Sequence, residues 1–338
     1  MNQQTPFTAP IVDCLTIRVV VDSRYEAILP KESHPSVTIE HVGGIPGRIM
    51  HTLAAEWGLS LHLASLADGR RAEYLLDFGW TPEVINRNID LLDIDPTKLN
   101  GLVLSHGHLD HYGGLDGFLL RHRSTMRDDL SLYVGGEDAF AARWEEDESV
   151  KSGSSSPTVA FWGELSRETL LAHKVVPLCC ETPHALDGSF TSGYIDRDSF
   201  EKTTSNTLIQ SPDHFTKEER QGELITDNHP EEHATCYIVR GRGLVVISSC
   251  AHIGIINTVR SAMATSGVDK LHAVVGGFHL AASKQDYINH TVDALAELDP
   301  DVVIPMHCTG RDFIEIMRSR MPEILVGANL GSRYTFGI

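Results

Sequence analysis

Four side chains able to bind a metal fall within six residues: His106, His108, Asp110 and His111, in the run LVLSHGHLDHYGGL from Leu102 to Leu115. The run opens as an apolar strand. In an extended chain successive side chains alternate faces, so His106 and His108 point to one side and can hold one cation with their imidazoles. Asp110 and His111 follow where the chain must turn. Gly107, Gly113 and Gly114 tolerate the backbone angles of such a turn, which lets Asp110 and His111 face a second position beside the first. Histidine nitrogen with one carboxylate suits zinc, and also iron or manganese, better than calcium or magnesium. The plainer alternative, surface histidines on a loop, does not account for four ligands directly after an apolar strand.

The segment is similar to the signature of the metallo-β-lactamase superfamily of hydrolases. That resemblance extends over nearly the whole chain through LLDFG, GLVVISSCAHIGIIN, VVGGFHL and PMHCTG. The set resembles one branch, the 7,8-dihydropterin-6-methyl-4-(β-D-ribofuranosyl)aminobenzene-5'-phosphate synthase-like proteins. The resemblance implies an α/β fold, the αββα sandwich, with residues 11–338 forming one domain. It implies His252 as the third ligand of the first metal and His307 as the last ligand of the second. Asp77 resembles the aspartate that accepts a hydrogen bond from a ligand histidine and fixes its ring, and it is also placed to cap a helix over 82–92. One departure stands out. Many members bridge their metals with an aspartate where this chain has Val275-Gly276-Gly277-Phe278-His279. His279 is thus a candidate ligand of the second metal, a candidate hydrogen-bond donor or general acid, or a histidine that only caps a strand end. The site therefore holds one or two divalent ions, with zinc first and manganese or iron as alternatives. His108 stands where di-iron members carry a carboxylate, and a neutral imidazole leaves the metal more electron-poor, which favours Lewis-acid hydrolysis over oxidation.

Positioning these residues requires most of the chain. With 338 residues a substantial core can be buried. Since 28 basic residues face 46 acidic ones, for a formal charge of -18, nucleic acid and anionic membranes are not expected partners. No window reaches the roughly 18 apolar residues of a membrane span. The N-terminal MNQQTPFTAP lacks a basic start and an apolar core, so it does not read as a signal peptide. The six cysteines form no C-x-x-C pair and no disulfide-framework pattern, which fits a reducing cytoplasm. Cys250 and Cys308 lie within two residues of His252 and His307, and read as small apolar walls of the site, with metal ligation as the lesser reading.

Strands are expected over 15–21, 59–66, 73–76, 99–104, 131–134, 234–240, 244–249, 272–276 and 302–305. Helices are expected over 82–92, 115–121, 137–144, 254–266, 284–298 and 311–320. Residues 24–57 read as a loop over the site with a short helix near its end, and 145–232 as an insertion opening on the charged, Ser-rich EEDESVKSGSSSP. Within it, Phe190 to Arg197 resembles a branch segment, which makes Arg197 a candidate for an anionic substrate group, or else a solvated surface arginine. Ser23 occupies a place that faces the site in relatives, and Phe278 is a candidate aromatic wall. The stretch 211–232 shows no chemistry of its own, although His214, His229 and His233 are within reach of a site by folding.

A metal on His106, His108 and His252 keeps a position open for water that loses a proton near pH 7, and Asp110 can hold that nucleophile in line. The expected activity is hydrolysis of a small-molecule ester, lactone, amide or phosphoester. Two alternatives accompany it: a condensing enzyme like the branch's synthase, and a protein that retains metal without turnover.

Overall fold

The computed structural model describes residues 7–42, 51–146, 159–203, 207–210 and 224–337. Two sheets face each other. The first runs in the order Val176–Cys179, Ser131–Val134, Gly101–Leu104, Arg70–Leu76, Ser60–Ala67, Cys14–Val21, Arg333–Gly337, Thr38–Glu40. The second runs His184–Ala185, Phe190–Thr191, Thr235–Val239, Gly243–Ser248, Leu271–Gly276, Val302–Pro305, with Ile11–Val12 paired to Thr235–Val239.

Alternation along the strands builds the layers. Leu15, Ile17 and Val19 of the first sheet meet Val245, Ile247, Ala273, Val275, Val302 and Ile304 of the second in one buried cluster between the sheets. The intervening residues of the second sheet, such as Val246, Val274 and Val303, face outward. There they pack on the helices Ile255–Ser266, Gln285–Leu298 and Arg311–Arg320. On the far side of the first sheet, Leu102, Leu104 and Leu132 pack on the helices Pro82–Leu91 and Leu115–His122. The result is the expected αββα sandwich.

Helix ends are fixed beside the future site. Pro82 occupies the first turn of its helix, where its missing N–H costs nothing, and Glu56 accepts the Thr81 N–H at 3.0 Å. At Ile255–Ser266 the buried Glu201 carboxylate accepts the N–H groups of Ile256 at 2.9 Å and Asn257 at 3.0 Å. Gly254, at φ +107°, lets that carboxylate approach so closely that a Cβ would lie 2.1 Å from it.

Several expectations need correcting. Residues 137–144 are not one helix: a short 3-10 turn, Glu137–Phe140, leads into the strand Arg143–Glu146. That strand pairs with Val159–Gly163 and Thr207–Gln210, and Leu224–Thr226 completes a third, four-stranded sheet. Part of the segment read as an insertion thus forms strands, while residues 147–158 and His214 lie outside the described residues. Among the described part of 24–57 there is a short strand, Thr38–Glu40, and no helix over 51–57. The C-terminal strand Arg333–Gly337 was not anticipated. It pairs antiparallel with Cys14–Val21 and buries Tyr334 and Phe336 between the sheets.

Leu63 is fully buried in the inter-sheet cluster. Leu63→Ala is expected to cost about 2–5 kcal/mol of stability, read as a lower urea midpoint at unchanged slope.

Candidate metal centre

Every residue of the candidate site leaves the C-terminal end of a strand. Asp22 follows Cys14–Val21, Asp77 follows Arg70–Leu76, and the His106 to His111 run follows Gly101–Leu104. His252, His279 and His307 follow Gly243–Ser248, Leu271–Gly276 and Val302–Pro305. The rigid strands converge there, and the turns they release carry the chemistry. The turns are strained: among the described residues, five of the nine non-glycine residues with positive φ, namely Asp77, His229, Ala251, His279 and His307, lie at this site. Left-handed backbone at such residues costs energy and persists where the surroundings enforce it.

Two groups of side chains face each other. The rings of His106, His108 and His252 lie 4.6–4.9 Å apart, centre to centre. Beside them, Asp110 Oδ2 is 3.4 Å from His307 Nε2 and 3.7 Å from His111 Nε2. The ring of His111 is 4.3 Å from that of His106, so the two groups adjoin. All six side chains expected from the sequence therefore come together.

Asp77 fixes ring orientation in both groups. Its Oδ2 accepts a hydrogen bond from His111 Nδ1 at 2.7 Å and another from Ser105 Oγ at 2.8 Å. Because the Ser105 hydroxyl spends its proton on Asp77, it accepts from His106 Nδ1 at 2.9 Å. Both histidines thus carry their proton on Nδ1 and turn a bare Nε2 into the site. Asp77 Oδ1 takes the Ser105 N–H at 2.8 Å, and the carboxylate is fully buried. The helix-capping alternative is not used, since Glu56 holds Thr81 instead.

The donors fit a cation. His106 Nε2, Asp110 Oδ1 and both ring nitrogens of His307 are buried without a hydrogen-bond partner, and buried polar atoms are rarely left so. Burial, aided by the neighbouring imidazoles of His111 and His108, pushes His106 well below its ordinary range, keeping it neutral and able to ligate. Burial works against ionisation of Asp110, yet His111 and His307 outweigh it and hold the carboxyl well below the usual range. Imidazole with carboxylate is a donor set for zinc, iron or manganese.

Several contributions come from residues to which the sequence assigned no role. His229 is fully buried, stacks on His252 at 4.0 Å and lies 4.8 Å from His108. Arg143, also buried, donates from Nε to Asp227 at 2.7 Å, from Nη2 to Glu231 at 2.5 Å and from Nη1 to the Gly107 carbonyl at 3.0 Å. It therefore ties the histidine motif to the segment 227–231. Glu232 accepts the N–H groups of His252 and Ile253, both at 2.9 Å, which sets the turn of the third histidine. Asp22 accepts the His307 N–H at 3.1 Å. A cluster of Asp, Glu and His at 227–233 was the only trace of this in the sequence. His233 itself is structural, bonded to the Leu104 carbonyl at 2.8 Å.

The remaining expectations divide. His279 lies against His252 at 4.0 Å and groups with Cys250 and Cys308 rather than with His111 and His307. Ser23 is exposed and lines, with His307, Arg24, Arg311 and Arg318, a cavity of about 820 Å³. Phe278 is no wall of the site: it is buried in the outer core, edge-on to Phe313 at 5.5 Å, because its neighbours Gly277 and His279 take the strand end. Arg197 is exposed and spends its guanidinium on Thr203 Oγ1 and the Asn228 carbonyl, so it braces the turn before His229 rather than facing the site.

A model of the metallo-beta-lactamase superfamily matches residues 57–307, and the chain belongs to that superfamily. Among curated proteins it is similar to 7,8-dihydropterin-6-methyl-4-(beta-D-ribofuranosyl)-aminobenzene-5'-phosphate synthase of Methanocaldococcus jannaschii. The two are 27% identical over 285 residues, which cover 80% of this chain and 90% of that protein. An uncharacterized protein of the same organism is 25% identical over 250 residues, covering 73% of this chain and 83% of its own. Among solved structures, a metal-dependent hydrolase of the beta-lactamase superfamily shares the fold with a TM-score of 0.68 at 22% identity, covering 94% of this chain and 98% of that one. Among the described residues no helix is long and apolar enough to cross a membrane.

Two variants test the supports. Asp77→Asn keeps the size and tolerates the left-handed backbone but turns an acceptor into an amide. Metal affinity, titrated by competition with a chromophoric chelator, is expected to fall about 10–100-fold with the fold retained. Arg143→Met leaves two buried carboxylates without their cation and is expected to cost about 3–5 kcal/mol in urea denaturation.

Proposed function

We propose that the chain is a metal-dependent hydrolase of a small molecule. In this reading His106, His108 and His252 hold one divalent cation, and Asp110, His111 and His307 hold a second. The observation that carries it is the set of buried, unpartnered donor atoms at converging strand ends, with two rings locked by Asp77 into the tautomer that ligates. When bound, zinc, or iron or manganese in its place, supplies Lewis-acid polarisation and a nucleophile available at neutral pH.

The chain's own residues do the rest. Asp110 keeps Oδ2 toward His111 and His307, which leaves Oδ1 to accept a hydrogen bond from the attacking water and hold it in line. His279 Nδ1, buried without a partner, is the candidate donor to the leaving group. The cavity beside His307 admits the substrate, and Arg24, Arg311 and Arg318 on its wall suit an anionic group. A small molecule fits the charge of -18 better than nucleic acid does. All six cysteines are free, as suits work in the cytoplasm, where thiols stay reduced.

A second reading is favoured by the aromatic walls. Trp57 lies 4.9 Å from the His307 ring and Trp162 lies 4.6 Å from the His108 ring, so indoles flank the centre on two sides. Flat heterocycles stack on such surfaces. Condensation of a pterin with a ribosyl-aminobenzene phosphate, as named for the relative in Methanocaldococcus jannaschii, would use that clamp, with the arginines on the phosphate.

Purified protein is to be assayed for bound metal and for turnover of an ester, a lactone, a phosphodiester and a β-lactam. Hydrolysis of at least one substrate is expected, and His108→Ala is expected to lose most first-site metal together with the rate. Wild-type metal content and rate in that variant would overturn the ligand assignment. Full metal with no hydrolysis but with pterin binding, lost in Trp162→Ala, would select the second reading.

A further inference from the structure

We propose that the Cys250 thiolate bridges the two metal positions, a reading that rests on the dinuclear site above and names its central ligand. Three observations carry it. The Cys250 Sγ lies within 4.8 Å of the ligand atoms of His106 and His252, and equally of those of His111 and His307. Among the described side chains it is the only donor found in a group from each position. Those same partners include His106, whose Nε2 is buried without a hydrogen bond, and His307, whose Nε2 faces Asp110 Oδ2 at 3.4 Å.

The spacing around His111 comes close to that of a coordination shell. Ligands held at about 2.0–2.3 Å around a tetrahedral cation lie about 3.3–3.7 Å from one another. Cys250 Sγ is 3.2 Å from His111 Nε2, and Asp110 Oδ2 is 3.4 and 3.7 Å from His307 and His111. Three contacts around the second position are thus close to the edge length of such a polyhedron, with Cys250 and Asp110 each adjoining His111. The backbone explains how one short turn serves both metals: Ala251, at φ +56°, reverses the chain so that Cys250 and His252 on either side of it both face inward.

Cys308 supports the bridge without joining it. Its Sγ lies 3.3 Å from that of Cys250 and donates toward it, as expected of a group that restrains a thiolate. His279 stands with this pair, not with His111 and His307. On loading, the Cys250 S–H bond breaks, its electron pair binds metal, and the proton leaves to solvent; no electron is transferred and no oxidant is needed. A soft thiolate at the centre favours zinc, iron or cobalt over manganese and magnesium.

The test uses the full chain, stripped by chelator and reloaded with Co2+ in the presence of reductant. A thiolate-to-cobalt charge-transfer band in the near ultraviolet is expected to grow with both equivalents of metal. Cys250→Ser should lose the band and weaken the second equivalent at least tenfold, whereas Cys308→Ala should keep the band. Cys250→Asp should restore two-equivalent binding without the band. X-ray absorption on the wild-type cobalt protein should show a sulfur neighbour at about 2.3 Å, which needs no variant to fold. Two equivalents bound with no band and no sulfur neighbour would overturn the bridge and leave the dinuclear site standing. Loss of the band in Cys308→Ala with retention in Cys250→Ser would transfer the ligand to Cys308 and equally overturn it. Failure to bind Co2+ at all would remove both readings.

Discussion

One buried carboxylate sets the chemistry of this molecule. Asp77 accepts from His111 directly and from His106 through the Ser105 hydroxyl, so a single residue decides which nitrogen is bare in each half of the centre. A fully buried carboxylate is costly without partners. Here it has three donors within 2.8 Å, which offsets its desolvation and makes the ring orientations the state of lowest energy. The histidines therefore need not reorganise to receive a cation, and the site is ordered before its ligand arrives.

The rest of the architecture keeps that arrangement in place. Strand ends of both sheets deliver the donors, and the inter-sheet cluster of Val, Ile and Leu holds those ends in register. The third sheet adds a second clamp from outside the sandwich. Arg143 grips Asp227, Glu231 and the Gly107 carbonyl at once, so the histidine run and the segment 227–231 move together. A buried ion pair of this kind adds little net stability but penalises every arrangement in which its partners separate. Left-handed backbone at five site residues is the complementary expense, concentrated where the geometry is used.

How much of this was legible in the sequence varied with the range of the interaction. Local patterns were readable: the period-2 strands, the helix Arg311–Arg320 and the ligand spacing of His106 to His111 all depend on neighbours a few residues away. The distant histidines, 252 and 307, came from resemblance, since nothing local marks them. Long-range pairings were silent. Strand Arg333–Gly337 is short and mixed in polarity, and its partner Cys14–Val21 lies at the other end of the chain. Arg143 reads as an ordinary arginine within the helix expected over 137–144, and only the fold reveals that Asp227 and Glu231 meet it. Phe278 shows the opposite error: adjacency to a site residue in sequence does not place a side chain in the site, because successive residues face opposite ways.

The division between a shared centre and private surroundings follows from the same geometry. Strand ends and Asp77 fix the donors of this centre, whereas a fold of this kind hosts more than one reaction. Around that centre the third sheet and the long connections add Trp162, His229 and the Arg143 clamp on one side, and Trp57 and the cavity beside His307 on the other. His229 is the sharpest of these. A fully buried imidazole without a hydrogen bond, with Nδ1 3.6 Å from Asp227 Oδ1, is expensive, and its stacking on His252 offsets little of that. A cation or a polar ligand group at Nε2 would offset that cost, and the segment that carries His229 is held to the histidine run by Arg143.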